Sequence, residues 1–180
     1  MVGEIRDRLT AEVAIKLSNT GHLTLCTLHT NDAATVISRL FKMGIEPFLI
    51  AQAMNIVVAQ RLVRALCPEC KRPAENLDPT LPQRLGFSRN EIKETVFYEA
   101  VGCPNCHEGY RDRVAIHEAL FFTRKIRRLI VQARQDIDEE AVMEEAKKNG
   151  MLSLRAAGRE RIKAGLTTCQ EIVSCTMSDR

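Results

Sequence analysis

Thr20-Gly21-His22-Leu23-Thr24-Leu25-Cys26-Thr27-Leu28-His29-Thr30-Asn31-Asp32 places a strand signal between two helix signals. Thr20-Gly21 closes a helix, with Gly21 as its C′ residue. His22 to Leu28 is rich in β-favouring residues and reads as a buried strand. Asn31 or Asp32 then caps a second helix. Upstream, Leu9, Val13 and Leu17 recur at i, i+4 and i+8 beside Ala14, so residues 8–19 read as an amphipathic helix. Val2 to Ile5 reads as the end of a strand. Downstream, Val36, Ile37, Leu40 and Phe41 lie on one helix that stops at Gly44. Pro47 then sits near the first position of a long helix running to about Leu66. Its apolar residues (Phe48, Leu49, Ile50, Ala53, Ile56, Val57, Leu62, Val63) cover much of its circumference, so it is expected to be substantially buried. Strand, helix, strand, helix makes residues 1–66 an α/β segment.

The character of the chain changes at residue 67. Residues 67–110 hold five of the six prolines and four of the seven cysteines, with little apolar periodicity. They read as a small insert with little core of its own. Residues 111–180 regain a pattern. Val114, Ile116 and Ala119-Leu120-Phe121-Phe122 suggest a strand, and helices follow near 124–134, 137–148, 153–164 and 168–177.

Cys67-Pro68-Glu69-Cys70 and Cys103-Pro104-Asn105-Cys106 form two CxxC pairs separated by 32 residues. A two-residue gap lets both thiolates of a pair face one centre. Two pairs complete a closed four-thiolate shell, the usual structural zinc site. The long separation is no obstacle, because the entropy of loop closure grows slowly with length. Zinc in such sites supplies roughly 10 to 16 kcal/mol of folding free energy, which a proline-rich segment with a poor core needs. A redox pair would involve only one CxxC. Cys103-Pro104-Asn105-Cys106-His107 also matches the c-type haem attachment pattern, but haem attachment requires export and leaves the first pair unused. Cys26, Cys169 and Cys175 read as buried thiols.

Composition narrows the class. The 180 residues carry 26 Lys plus Arg against 23 Asp plus Glu, a net charge of +3, and no Trp. So small an excess does not support a dedicated DNA-binding surface. The longest apolar stretch, Phe48 to Ala59, is interrupted by Gln52 and Asn55 and is too short to span a membrane. Glu4, Arg6, Asp7 and Arg8 stand where the apolar core of a signal peptide would begin, so a cytoplasmic location is expected, with reduced thiols.

Glu4 and His29 both fall where a strand runs out, the position at which open α/β sheets bind ligands. A carboxylate and an imidazole there can orient water or hold Mg2+. The surrounding words are specific. Gly3-Glu4-Ile5-Arg6-Asp7, Thr20-Gly21-His22, Thr27 to Asp32, Met43-Gly44-Ile45-Glu46-Pro47-Phe48-Leu49, Ala59-Gln60-Arg61-Leu62-Val63-Arg64, the two CxxC pairs, and Gly109-Tyr110 with Arg113 occur in the order of the bacterial secretion ATPases. The chain resembles the C-terminal half of the type II secretion ATPase and its relative, the type IV pilus assembly ATPase.

That resemblance implies a partial RecA-like NTPase core, a tetracysteine zinc insert and a C-terminal helical subdomain. Gly3 to Asp7 is similar to the Walker B segment, with Glu4 acting on Mg2+ and the attacking water. Thr20 to Asp32 is similar to the family's His box, in which His22 and His29 approach the γ-phosphate. Gln60 and Arg61 lie in a stretch near the nucleotide pocket. Cys67, Cys70, Cys103 and Cys106 match the zinc ligands. The family's proteins are homo-hexamers that use ATP to drive domain rotations, passed to an inner-membrane platform protein, with the motor peripheral to that membrane. Retraction motors generally lack the tetracysteine insert, so the resemblance favours assembly or secretion.

The departures matter too. No Gly in the sequence begins a GxxxxGK loop, the element that cradles the phosphates. The chain therefore reads as a fragment, expected by itself neither to bind ATP tightly nor to hydrolyse it. Leu9 stands for a usual Glu and Cys26 for a usual Ser. Asp112, Val114 and Ala115 interrupt a usual Gly-Arg-Thr-Gly run. A different class remains open: a zinc-ribbon module contacting nucleic acid or protein through basic stretches such as Arg124-Lys125 and Arg127-Arg128.

Overall fold

The computed structural model describes residues 1–176. Helix α1 (Arg8–Asn19) begins where the Asp7 carboxylate accepts the Thr10 amide at 2.8 Å, and α2 (Ala33–Lys42) begins where Asp32 accepts the Thr35 amide at 2.8 Å. Helix α3 (Pro47–Ala53) follows, with proline at its first position. Strand β1 (Ile56–Leu66) comes next, then β2 (Arg72–Pro73), α4 (Thr80–Arg84), α5 (Arg89–Glu94), β3 (Tyr98–Glu99) and β4 (Tyr110–Phe121). Helices α6 (Arg124–Val131), α7 (Glu139–Lys148), α8 (Leu154–Lys163) and α9 (Cys169–Cys175) complete the described chain. The mixture of helix and strand matches the expected α/β class. Part of the last expected helix, near 177, lies outside the described residues.

The structure departs from several of these expectations. The long helix from Pro47 to Leu66 is a short helix followed by a strand. The Ile56-Val57-Val58 run is β-branched, and burial along β1 alternates: Val57, Ala59 and Val63 are buried while Ile56, Val58 and Leu62 are about half exposed. That is the two-residue period of a strand, and β-branched side chains favour it. The apolar residues that seemed to wrap a helix occupy the two faces of β1. Likewise, His22 to Leu28 is not a buried strand. Its pairing is limited to one parallel bridge, Glu4 with Thr27, supported by Val2 N–H to Leu25, Thr27 N–H to Gly3 and Ile5 N–H to Thr27 bonds of 2.9 to 3.1 Å. Leu23 is 89% exposed and Leu25 59%, because no described element covers them. Cys26 is exposed as well, against expectation; Cys169 is buried and Cys175 half-buried.

Chain contacts divide into two compact units, Met1–Ala59 with Ala119–Met151, and Gln60–Glu118 with Leu152–Arg180. In the first, α3 packs on α1 and α6, and α2 packs on α7. Ile15, Ile37, Leu40, Ile50, Ile126, Ile130 and Val142 fill its core. The basic run on α6 is partly consumed there: Lys125 pairs with Glu145 at 2.6 Å, and Arg127 bonds the Phe122 and Ala51 carbonyls and the Asn55 side chain.

The second unit holds Val63, Leu66, Leu85, Phe87, Phe97, Ile116, Leu154, Ile162 and Ile172 as its core. Residues 67–110 therefore supply more buried apolar surface than their composition suggests. Phe87 and Phe97 meet edge to face with centroids 5.4 Å apart. A Ser88–Glu91 capping box starts α5, and Glu91 also binds Arg159 at 2.6 Å and Lys163 at 3.1 Å on α8. β2 and β3 pair antiparallel, Arg72 opposite Glu99 and Pro73 opposite Tyr98. The long strands β1 and β4 pair with each other. Cys67, just past β1, donates its amide to the Gly109 carbonyl just before β4 at 2.9 Å.

Candidate functional site

The β1–β4 pairing determines where the cysteines go. The first CxxC leaves the end of β1 and the second leads into β4, so the strand pair draws the two knuckles together. The sulphurs of Cys67 and Cys103 are 3.9 Å apart, those of Cys70 and Cys106 are 3.7 Å apart, and those of Cys103 and Cys106 are 3.6 Å apart. All four lie within 4.8 Å of one another. Four sulphurs set about 2.3 Å from one zinc at tetrahedral angles would be about 3.8 Å apart. The cluster thus has the donor set and the dimensions of a tetrathiolate metal site. The Asn105 amide pulls the Cys103 thiol down, but burial and the three neighbouring thiols outweigh it and hold that thiol up at about 12. Burial pushes Cys106 up too, yet its bond from the Cys103 amide and its other neighbours bring it below the ordinary thiol value.

Gly109 permits this closure. Its φ is +83°, and a Cβ there would sit 2.6 Å from the Val101 amide nitrogen and 2.8 Å from the Ala100 carbonyl carbon. Asp112 also has a positive φ, +67°. Asp is one of the few other residues that tolerates this conformation.

A second cluster lies in the first unit. The parallel bridge at Thr27 sets Glu4 beside the chain that carries His29, and His29 Nε2 lies 3.0 Å from Glu4 Oε1. Arg6 donates to Glu4 Oε2 at 2.6 Å. This Arg6 bond, opposed by some desolvation and aided by the Arg6 and His29 charges, holds the Glu4 carboxyl below its ordinary value. The carboxylate is therefore ionised at neutral pH, with each oxygen facing a cationic or donor group. Arg39 of α2 donates to the His29 carbonyl and ties the loop to the helix.

The other expected residues make contacts of their own. His22 is exposed, with Nδ1 3.2 Å from Thr20 Oγ1, and it borders an apolar cleft of about 540 Å³ lined by Ile5, Ile15, Leu25, Cys26, Leu40 and Ile56. Gln60 and Arg61 lie on β1 in the second unit, where Arg61 donates to the Gln60 carbonyl at 3.1 Å. Gly3 has open space around its Cβ position, and its carbonyl accepts from Thr27 at 3.1 Å. Arg6 and Arg39 escaped the sequence reading. For Arg6 a signal existed, because residues i and i+2 share one face of an extended chain. For Arg39 no local signal existed, since its partner lies ten residues away in a loop.

The family model described as "Type II/IV secretion system protein" matches residues 1–174. The chain belongs to that family. It is 45% identical over its whole length to the type IV pilus assembly ATPase PilB of Myxococcus xanthus, covering 31% of that protein. It is 43% identical to the type II secretion system ATPase E of Vibrio cholerae over 98% of the chain and 34% of that protein. The chain thus spans about a third of the length of these curated relatives. Among solved structures it resembles the pilus retraction motor PilT with bound ADP, at a TM-score of 0.61 and 21% identity over 96% of the chain and 38% of that structure. It also resembles the ATPase DotB of Yersinia pseudotuberculosis, at a TM-score of 0.59 and 19% identity over 98% of the chain and 36% of that structure. These likenesses establish the fold. Family membership by sequence makes this a secretion and pilus ATPase family chain. Among the described residues, no helix is long and apolar enough to cross a membrane.

Proposed function

We propose that this chain works as part of a longer, hexameric ATPase that powers type II secretion or type IV pilus assembly from the cytoplasmic side of the inner membrane. It would supply part of a RecA-like core, a zinc-stabilised insert and a helical subdomain. The observation that carries the reading is the Glu4–His29 pair, 3.0 Å apart, inside a chain 45% identical to a pilus assembly ATPase.

The residues fit such a role. Phosphoryl transfer depends on positioning and on stabilising charge, and Mg2+ with ATP supplies the electrophile and the charge to be stabilised. Glu4, kept ionised by Arg6, would orient the attacking water or bind a water of the Mg2+ shell. His29, hydrogen-bonded to Glu4 and tied to α2 through Arg39, would relay the state of the phosphate end to the helical layer. His22, Gly3, Gln60 and Arg61 would line or approach the nucleotide, as their counterparts in the family do. Cys67, Cys70, Cys103 and Cys106 would hold a structural zinc and take no part in hydrolysis. The 180-residue sequence has no GxxxxGK loop, so ATP turnover is not expected from it alone. Its partners would be further copies of the motor, the inner-membrane platform protein and other components of the machine.

The test uses the longer ATPase that contains this sequence. Glu4→Gln removes the ionised oxygen while preserving shape. Turnover is expected to fall by at least about 100-fold, the usual scale for a group acting on the reacting atoms, while nucleotide affinity stays unchanged. Wild-type turnover in the Glu4→Gln protein would refute the role of Glu4. Turnover by the isolated 180-residue chain, lost on Glu4→Gln, would refute its dependence on the missing loop.

A further inference from the structure

Each CxxC pair has a proline in its first gap position and a polar residue in its second: Pro68-Glu69 and Pro104-Asn105. The two polar side chains meet. Asn105 Nδ2 donates to Glu69 Oε2 at 2.8 Å. The other oxygen is used as well: Arg111 Nη1, on β4, donates to Glu69 Oε1 at 2.9 Å. One carboxylate of the first knuckle is therefore held by the second knuckle and by the strand that follows it. These bonds run outside the ring of sulphurs and form a second connection between the two halves, independent of any metal.

Charge does not explain Glu69. A zinc tetrathiolate carries a net charge of −2, and a nearby carboxylate makes ionising its ligands harder. Arg111 offsets that charge. What Glu69 offers is geometry, two acceptor oxygens that bridge separate chain segments. Hydrogen-bond partners outside a metal's ligand shell commonly fix ligand orientation in this way.

We propose that Glu69, Asn105 and Arg111 form a clamp that holds the two knuckles closed and so sets how slowly a bound zinc leaves. The proposal rests on the zinc reading above. The three residues are positioning residues, not ligands. For zinc to leave, one knuckle must swing away from the other, and the clamp resists that opening. It is partly exposed, with side-chain exposures of 45% for Glu69 and 50% for Arg111, so its contribution to overall stability is small. Its effect on opening is specific, because the bonds it makes must break before the sulphurs separate.

The experiment measures zinc release from the purified 180-residue chain to a metallochromic chelator. Glu69→Ala is expected to speed release about tenfold, the lower end of the range for such partners. Asn105→Ala and Arg111→Ala each speed it less. The Glu69→Ala/Arg111→Ala double variant is no faster than Glu69→Ala alone, since Glu69→Ala already removes the bond that Arg111→Ala breaks. Glu69→Gln restores most of the slow release, because its amide oxygen can accept from Arg111 while its amino group donates to a flipped Asn105. Arg159→Ala serves as a control for general loosening: it breaks the bond to Glu91 elsewhere in the same unit and should lower thermal stability without altering release. Release at the wild-type rate from Glu69→Ala, or equal acceleration by Arg159→Ala, overturns the clamp. A wild-type chain that purifies with no zinc and takes up none overturns the zinc reading beneath it, and its metal content is measured first.

Discussion

The cysteine cluster and the Glu4–His29 pair differ in how their parts are assembled. Each half of the cysteine cluster is local: two ligands with two residues between them, on a short knuckle next to a long strand. One strand pairing then brings the halves together, and Gly109, the clamp and the Cys67–Gly109 bond secure them. The Glu4–His29 pair joins two chain segments 25 residues apart through one bridge and stays open, with His29 81% exposed. A closed site suits a structural metal, which must stay. An open one suits a site whose substrate must enter and leave.

The largest expected effect follows from that contrast. Stripping metal with a chelator should unfold residues 67–110 locally, because zinc in comparable sites contributes on the order of 10 kcal/mol or more. Hydrogen exchange should show lost protection there and retained protection in α1 and α2. Uniform loss across both units would erase the distinction between them.

Two glycines differ in the same way between the two regions. Gly109 and Gly21 both have positive φ, +83° and +90°, but a Cβ collides only at Gly109. Gly109→Ala should destabilise by about 2 to 4 kcal/mol, combining backbone strain with overlap. Gly21→Ala should cost about 1 kcal/mol, the backbone term alone. Equal losses in urea denaturation would mean that the second knuckle is not tightly packed.

Acid gives the next effect. The amide of Ser88 and the Lys163 ammonium lead the contacts that hold Glu91 down to about 2, against an ordinary value of 4.5. Its folded value is depressed, so its contribution is complete above pH 4.5 and is lost as pH falls toward 2. Wild type should lose urea resistance across that window, and Glu91→Gln should lose less. Parallel curves for the two proteins would remove Glu91 as a link between α5 and α8. The smallest effect belongs to the open site: Glu4→Gln in the 180-residue chain should leave the urea midpoint unchanged, since its partners Arg6 and His29 are exposed. A large drop would make Glu4 a structural residue.

The two regions were also unequally legible. The CxxC spacing announces its ligands because both members of each pair lie within one turn of chain. The end of helix α1 is legible for a similar reason, since Thr20-Gly21 punctuates it locally, while its Asp7 cap comes from the structure. β1 is hard to tell from a helix because Ile56 to Leu66 is apolar on both faces, and a strand with two apolar faces imitates a buried helix over a short window. The Glu69–Asn105–Arg111 contacts and the Arg6 and Arg39 bonds have no spacing rule that announces them. They depend on which strands pair, and that is decided by contacts far apart in the sequence.

The four cysteines are proposed to form one closed tetrathiolate zinc site. X-ray absorption at the zinc edge of the purified chain tests it directly. One zinc per chain with four sulphur neighbours at about 2.3 Å is expected, lost in the Cys67→Ser/Cys103→Ser variant. Absent zinc, or a shell containing nitrogen or oxygen, would contradict it.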